Sequence, residues 1–121
     1  GNIQIILLGG TLQPKGRSLV GPLTKQAIKE FHVDKIFTGT DGFSREFGFT
    51  GEDLTRTDTV CEMTKSAEHT YILADSEKFH QSGAVAYLQF QDVYQIITDS
   101  GISEEDTAFL SGKGIRILVA Q

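Results

Sequence analysis

The chain has 121 residues, 39% of them hydrophobic and 22% charged, an ordinary globular balance that fits one domain with a packed core. Its 11 basic and 16 acidic side chains leave a net charge of -5, which argues against a nucleic-acid groove, because phosphate contacts need a surplus of Lys and Arg. No apolar run reaches the ~20 residues of a membrane span, no signal-peptide pattern is present, and Cys61 stands alone. These features predict a soluble, cytoplasmic protein without a disulfide framework, a cysteine-based metal site or a membrane partner.

In chain order, Ile3 to Leu8 reads as a first strand. The loop from Gly9 to Gly21 places Lys15 and Arg17 beside Gly16 and Gly21, a flexible basic segment that either closes over an anion or stays ligand-free. Pro22 fits a first helical position, where its missing N–H costs nothing, and Leu23, Ala27, Ile28 and Phe31 then share one helical face. Lys35 to Thr38 is a second strand. The loop from Asp41 to Asp53 carries Phe43, Phe47 and Phe49, too many aromatics for a solvated turn, so it is predicted to pack on the protein or on a partner subunit.

Val60, Met63 and Ala67 mark a second helix, with Cys61 as a small core residue rather than a nucleophile. Tyr71 to Ala74 is the third strand. From Phe79 to Val93 no periodicity stands out, and Ala84 to Phe90 fits a short helix or a strand equally well. Tyr94 to Thr98 is the fourth strand. Ser103 followed by Glu104, Glu105 and Asp106 has the form of an N-cap with an acidic first turn, and Gly112 or Gly114 can end the helix that holds Ala108, Phe109 and Leu110. Ile115 to Ala120 is the last strand. The alternation predicts an α/β fold, an open, mainly parallel sheet of about five strands, mostly buried on both faces, with flanking helices.

In such a sheet, ligands bind beyond the carboxyl ends of the strands. Those ends read Gly9-Gly10-Thr11, Gly39-Thr40-Asp41-Gly42, Asp75-Ser76-Glu77-Lys78 and Asp99-Ser100-Gly101. Small and hydroxyl residues admit a ligand to the backbone, carboxylates accept hydrogen bonds from sugar hydroxyls, and Lys78 offers a positive charge to a phosphate. The same residue types also cap helices and make turns. Asp99 fits that structural role, Asp41 fits either role, and Asp75 with Lys78 fits a cleft. His32, His69 and His80 lack the paired spacing of a metal site. Neither G-x-G-x-x-G nor G-x-x-x-x-G-K-[ST] is present, which disfavours dinucleotide binding and nucleoside-triphosphate hydrolysis, and no cofactor is expected.

The series Leu8-Gly9-Gly10, Val33 to Gly42, Gly48-Phe49-Thr50, Ala74 to Phe79 and Ile96 to Asp99 resembles the C-terminal sensor domain of the DeoR family of bacterial transcription regulators. The D-x-x-K-F element at Asp75 to Phe79 carries most of the resemblance, which covers nearly the whole chain. It implies an architecture like ribose-5-phosphate isomerase and the CoA-transferase-like folds, used as a receptor. It also implies a phosphorylated sugar or related metabolite as effector, a homo-oligomer, and operator DNA bound only through a winged helix-turn-helix that this sequence lacks. Carried over, it points to Gly9, Gly10, Thr40, Asp41, Gly42, Asp75 and Lys78 as the cleft, to which the loop adds Arg17. The family pattern opens with a further strand, helix and Gly-Thr-Thr-like loop, so an N-terminally truncated sensor is expected. An acidic residue usual after Gly48-Phe49-Thr50 is replaced by Thr55, with Glu52 and Asp53 coming early.

Two other functions compete. A phosphosugar isomerase of related fold would need a general base, for which Asp41, Asp75 or Glu77 could serve. A receiver domain needs an acidic pair after its first strand to hold Mg²⁺, and Gly9-Gly10 stands there instead.

Overall fold

A computed structural model describes residues 2–120. Its parallel sheet has four strands in the order β3 (Val33–Thr38), β6 (Ala67–Leu73), β8 (Gln95–Thr98) and β9 (Arg116–Val119). The two inner strands contain the predicted apolar runs, with Ile72 and Ile96 fully buried and paired in register, but β6 begins earlier than predicted, on the half-buried or exposed Ala67, Glu68 and His69. The outer two, β3 and β9, are largely exposed, so burial on both faces holds only for the middle of the sheet.

Two antiparallel sheets accompany it, which makes the whole a mixed α/β fold. One is the hairpin of β1 (Thr11–Gln13) and β2 (Ser18–Val20); the other joins β4 (Gly42–Ser44), β5 (Gly48–Gly51) and β7 (Val85–Leu88). The second sheet explains the aromatic load of the loop after Asp41. Phe43 and Phe49 lie in the core with Phe79 and Leu88, whereas Phe47 is exposed. Phe43 meets Phe79, Phe90 and Phe109 edge-on, at centroid separations of 5.6, 6.3 and 6.2 Å, an arrangement in which ring edges face π-clouds. The open stretch from Ala84 to Phe90 resolves as β7 followed by a short 3₁₀ turn at Phe90–Asp92.

Three helices connect these strands. α1 (Pro22–Ile28) begins on Pro22 as predicted but ends before Phe31, which lies outside it and is exposed. α2 (Leu54–Lys65) is capped by Asp53, whose carboxylate accepts from Arg56 N, and stops at Ser66, so Ala67 starts β6 rather than extending a helical face. α3 (Glu104–Gly112) has the expected Ser103 cap, accepting from Asp106 N at 3.0 Å.

The largest departure lies at Ile3 to Leu8, which belongs to no strand. Ile3, Ile5 and Leu7 are 80% or more exposed. An apolar run expresses a preference for a buried strand, but the segment makes no ladder with the open edge that β3 leaves at the end of the sheet. The parallel sheet therefore has four strands where about five were expected. No helix among the described residues is long and apolar enough to cross a membrane.

Candidate functional site

A cavity of about 590 Å³ opens at the carboxyl end of β3, between the β1–β2 hairpin, α2 and the segment Ile6 to Leu8. That is the position where parallel sheets present their ligand crevice. Three of the residues singled out in the sequence, Arg17, Thr40 and Asp41, meet on its walls, joined by Arg56 and Tyr87.

The hairpin is held over this space by side chains of α2. Gln13 Nε2 donates to Asp53 Oδ2 at 3.0 Å, and Gly21 N donates to Thr59 Oγ1 at 3.1 Å. At the tip, Arg17 adopts φ 51, a left-handed conformation uncommon outside glycine. The hairpin base explains Gly10. Its φ is 132, and a Cβ there would overlap the Thr24 hydroxyl and stand 2.9 Å from Val20 O. Thr24 Oγ1 in turn donates to Gly9 O.

Across the cavity, Asp41 Oδ2 accepts from Arg56 Nη2 at 2.8 Å and from Glu52 N at 3.1 Å. The early acidic pair thus serves the helix start: Glu52 offers its N–H to Asp41 and Asp53 is the cap. Thr40 is buried; its hydroxyl donates to Gly42 O at 2.7 Å, with Thr50 O as a second acceptor at 3.1 Å. Tyr87 OH donates to Gly39 O, and burial pushes the phenol pKa up, which keeps it a neutral hydroxyl. Both hydroxyl protons are therefore committed to backbone carbonyls. What these walls present to a ligand is acceptor lone pairs on Thr40, Asp41 and Tyr87 and donors on the two guanidiniums.

Gly9, Gly10, Gly42, Asp75 and Lys78 do not line this cavity. A Cβ on Gly42 would stand 2.8 Å from the Gln81 carbonyl carbon, so close backbone packing accounts for that glycine. Asp75 caps the 3₁₀ turn Ser76–His80 by accepting from Glu77 N at 3.1 Å. Asp99 ties two strand ends together, accepting from Ser76 N at 2.8 Å and Gly101 N at 2.9 Å.

The hydrogen bonds from the Ser76 side chain and backbone, and from Gly101, hold the Asp99 carboxyl below its ordinary pKa. A carboxylate depressed in the folded state stabilises the fold fully above its unfolded pKa, and that contribution is lost as pH falls through the lower folded value. Asp99→Asn is therefore expected to lower stability at neutral pH, with the gap to the wild type closing below about pH 4. Denaturant unfolding across pH 2–7 measures this; a pH-independent gap would contradict the assignment.

Arg56 and Tyr87 line the cavity without having been singled out in the sequence. Arg56 had one available signal: a basic residue in the first turn of α2, where the helix dipole favours acids and the α2 first turn has none. Tyr87 reaches the cavity only through β7. Cys61 donates to Tyr87 O at 3.0 Å, and burial raises its thiol pKa, which suits a packing residue rather than a nucleophile. Among the described residues, no three His, Cys, Asp or Glu side chains cluster as a metal site would require.

Residues 1–100 match the family described as the DeoR C-terminal sensor domain. The chain is 28% identical over 119 residues to the HTH-type transcriptional regulator IolR of Bacillus subtilis, covering 98% of this chain and 47% of that protein. It is 29% identical over 119 residues to the HTH-type transcriptional repressor GlcR of the same organism, covering 98% and 46%. A further Bacillus subtilis regulator, FruR, is 33% identical over 98 residues, covering 81% and 39%. The chain spans about half the length of the curated relatives it matches.

Proposed function

This chain belongs to the DeoR C-terminal sensor domain family, and from that premise we propose that its cavity receives a small phosphorylated sugar whose binding controls operator affinity. The observation that carries the reading is the division of polar groups on one cavity: acceptors on Thr40, Asp41 and Tyr87 suit sugar hydroxyls, and guanidiniums on Arg17 and Arg56 suit an anion. The size is also suitable, since about 590 Å³ falls within the range of small-ligand sites. In this reading the architecture is that of a ribose-5-phosphate isomerase-like fold turned to reception, and DNA is contacted by a helix-turn-helix domain of the complete regulator.

The mechanism follows from where the ligand would sit. A molecule touching both the hairpin and the end of β3 gains contacts only when the two are closed on each other, so it favours the closed arrangement by its differential affinity. The same free energy then appears as a change in operator affinity. Thermal unfolding in a panel of sugar phosphates and their unphosphorylated parents tests this. At a hundredfold excess over Kd, a true effector stabilises by about 2.7 kcal/mol and its parent sugar does not; a panel with no shift would count against the reading.

A further inference from the structure

The walls of the cavity carry three charged side chains, Arg17, Asp41 and Arg56. Two positive charges thus face one negative, in a chain whose net charge is -5. Arg17 is exposed, and no side chain of the walls answers its charge, the one carboxylate there being Asp41. It engages one end of the Arg56 fork, Nη2, at 2.8 Å. The other end, Nη1, faces the hairpin tip, where a Cβ on Gly16 would stand 3.5 Å away. The next residue is Arg17, which has no ion pair among the described residues. Its left-handed φ of 51 is a strained conformation for a side-chain-bearing residue, of the kind retained where position matters more than comfort.

We infer that Arg17 and Arg56 form a two-guanidinium anion subsite at the hairpin end of the cavity, with Asp41 as the positioning residue that holds Arg56 by Nη2 and leaves Nη1 for the ligand. The inference rests on the effector-site reading and adds which groups grip the phosphate. A phosphomonoester dianion is the fitting ligand group: its several oxygens can accept from two forks at once, which the two oxygens of a carboxylate do less well. With the anion there, the sugar hydroxyls fall toward the acceptors on Thr40 and Tyr87. An anion shared between Arg17 on the hairpin and Arg56 on α2 also ties these two elements together, which is the closure the sensing mechanism needs.

Inorganic phosphate is the direct probe, titrated at constant ionic strength into the wild-type chain and the variants Arg56→Gln and Arg17→Gly. Melting temperature and the arginine side-chain NMR signals are the readouts. Arg56→Gln/Asp41→Asn, which removes both halves of the ion pair, guards against a variant that fails only because Asp41 is left unpaired. The expected result is saturable binding by the wild type and a tenfold or greater rise in half-saturation for each variant. Without phosphate, Arg17→Gly should melt no lower than the wild type, because glycine accepts φ 51 freely, a pattern that a structural arginine would not give. Variants that titrate like the wild type would overturn the subsite. If sugar phosphates still perturb the cavity in those variants, the subsite alone is wrong; if none perturbs the cavity in any form, the effector-site reading falls with it.

Discussion

Phe49→Ala is expected to lower the unfolding free energy by about 3–5 kcal/mol, the usual cost of emptying a buried aromatic site. Phe49 has 0% exposure and sits at the centre of the antiparallel sheet, opposite Phe43 on β4 and Leu88 on β7. Its ring lies 6.1 Å from that of Phe43 and 5.7 Å from that of Phe90. Truncation therefore loses both the transfer free energy of the ring and its contacts with neighbours that cannot all collapse inward. Against a typical total of about 5–15 kcal/mol for a domain, that is a large share of the stability. Denaturant unfolding provides the measurement, and a loss below about 1 kcal/mol would contradict the placement of this ring in the core.

Gly10→Val is expected to cost about 1–3 kcal/mol in backbone strain alone and to abolish effector binding with it. At φ 132 a β-branched residue is unfavourable, and its Cβ would collide with Thr24 on α1. The hairpin must then shift away from α1, carrying Arg17 away from Arg56. Urea unfolding together with ligand-induced thermal shift separates two roles for this glycine. If stability is unchanged and only binding is lost, Gly10 touches the ligand directly. A loss of both is the expected outcome for a residue that seats the hairpin.

Residues whose environment is continuous along the chain were the ones that could be read from sequence. Ile72 and Ile96 lie in short apolar runs, and these mark where β6 and β8 pass through the core, though not the polar start of β6 at Ala67 to Thr70. Ser103 and Pro22 announce helix starts by local chemistry, and the helices begin there. By contrast, β4 and β5 contain Gly42, Gly48 and Gly51, so they read as a packed loop rather than as strands, and only long-range pairing with β7 makes them a sheet. Ile3 to Leu8 failed in the opposite direction, because its strand propensity finds no ladder in the structure.

The site divides along the same line. Thr40 and Asp41 follow a parallel strand, and Arg17 sits in a conspicuous basic loop, so position alone nominated them. Lys78 was nominated by the same rule from the end of a different strand, and it does not line the cavity to which β3 leads. Strand-end position narrows the candidates; which ends face one cavity depends on how the hairpin and α2 dock, and that is set by contacts such as Gln13 to Asp53 and Gly21 to Thr59.

The location of bound effector tests the central claim most directly. Backbone amide NMR signals should be followed while the most stabilising sugar phosphate of the panel is titrated into the chain. The account predicts saturable changes concentrated at Arg17, Thr40, Asp41 and Arg56, with Asp75 and Lys78 little affected. Changes centred on Asp75 and Lys78, with the cavity at the end of β3 silent, would contradict it.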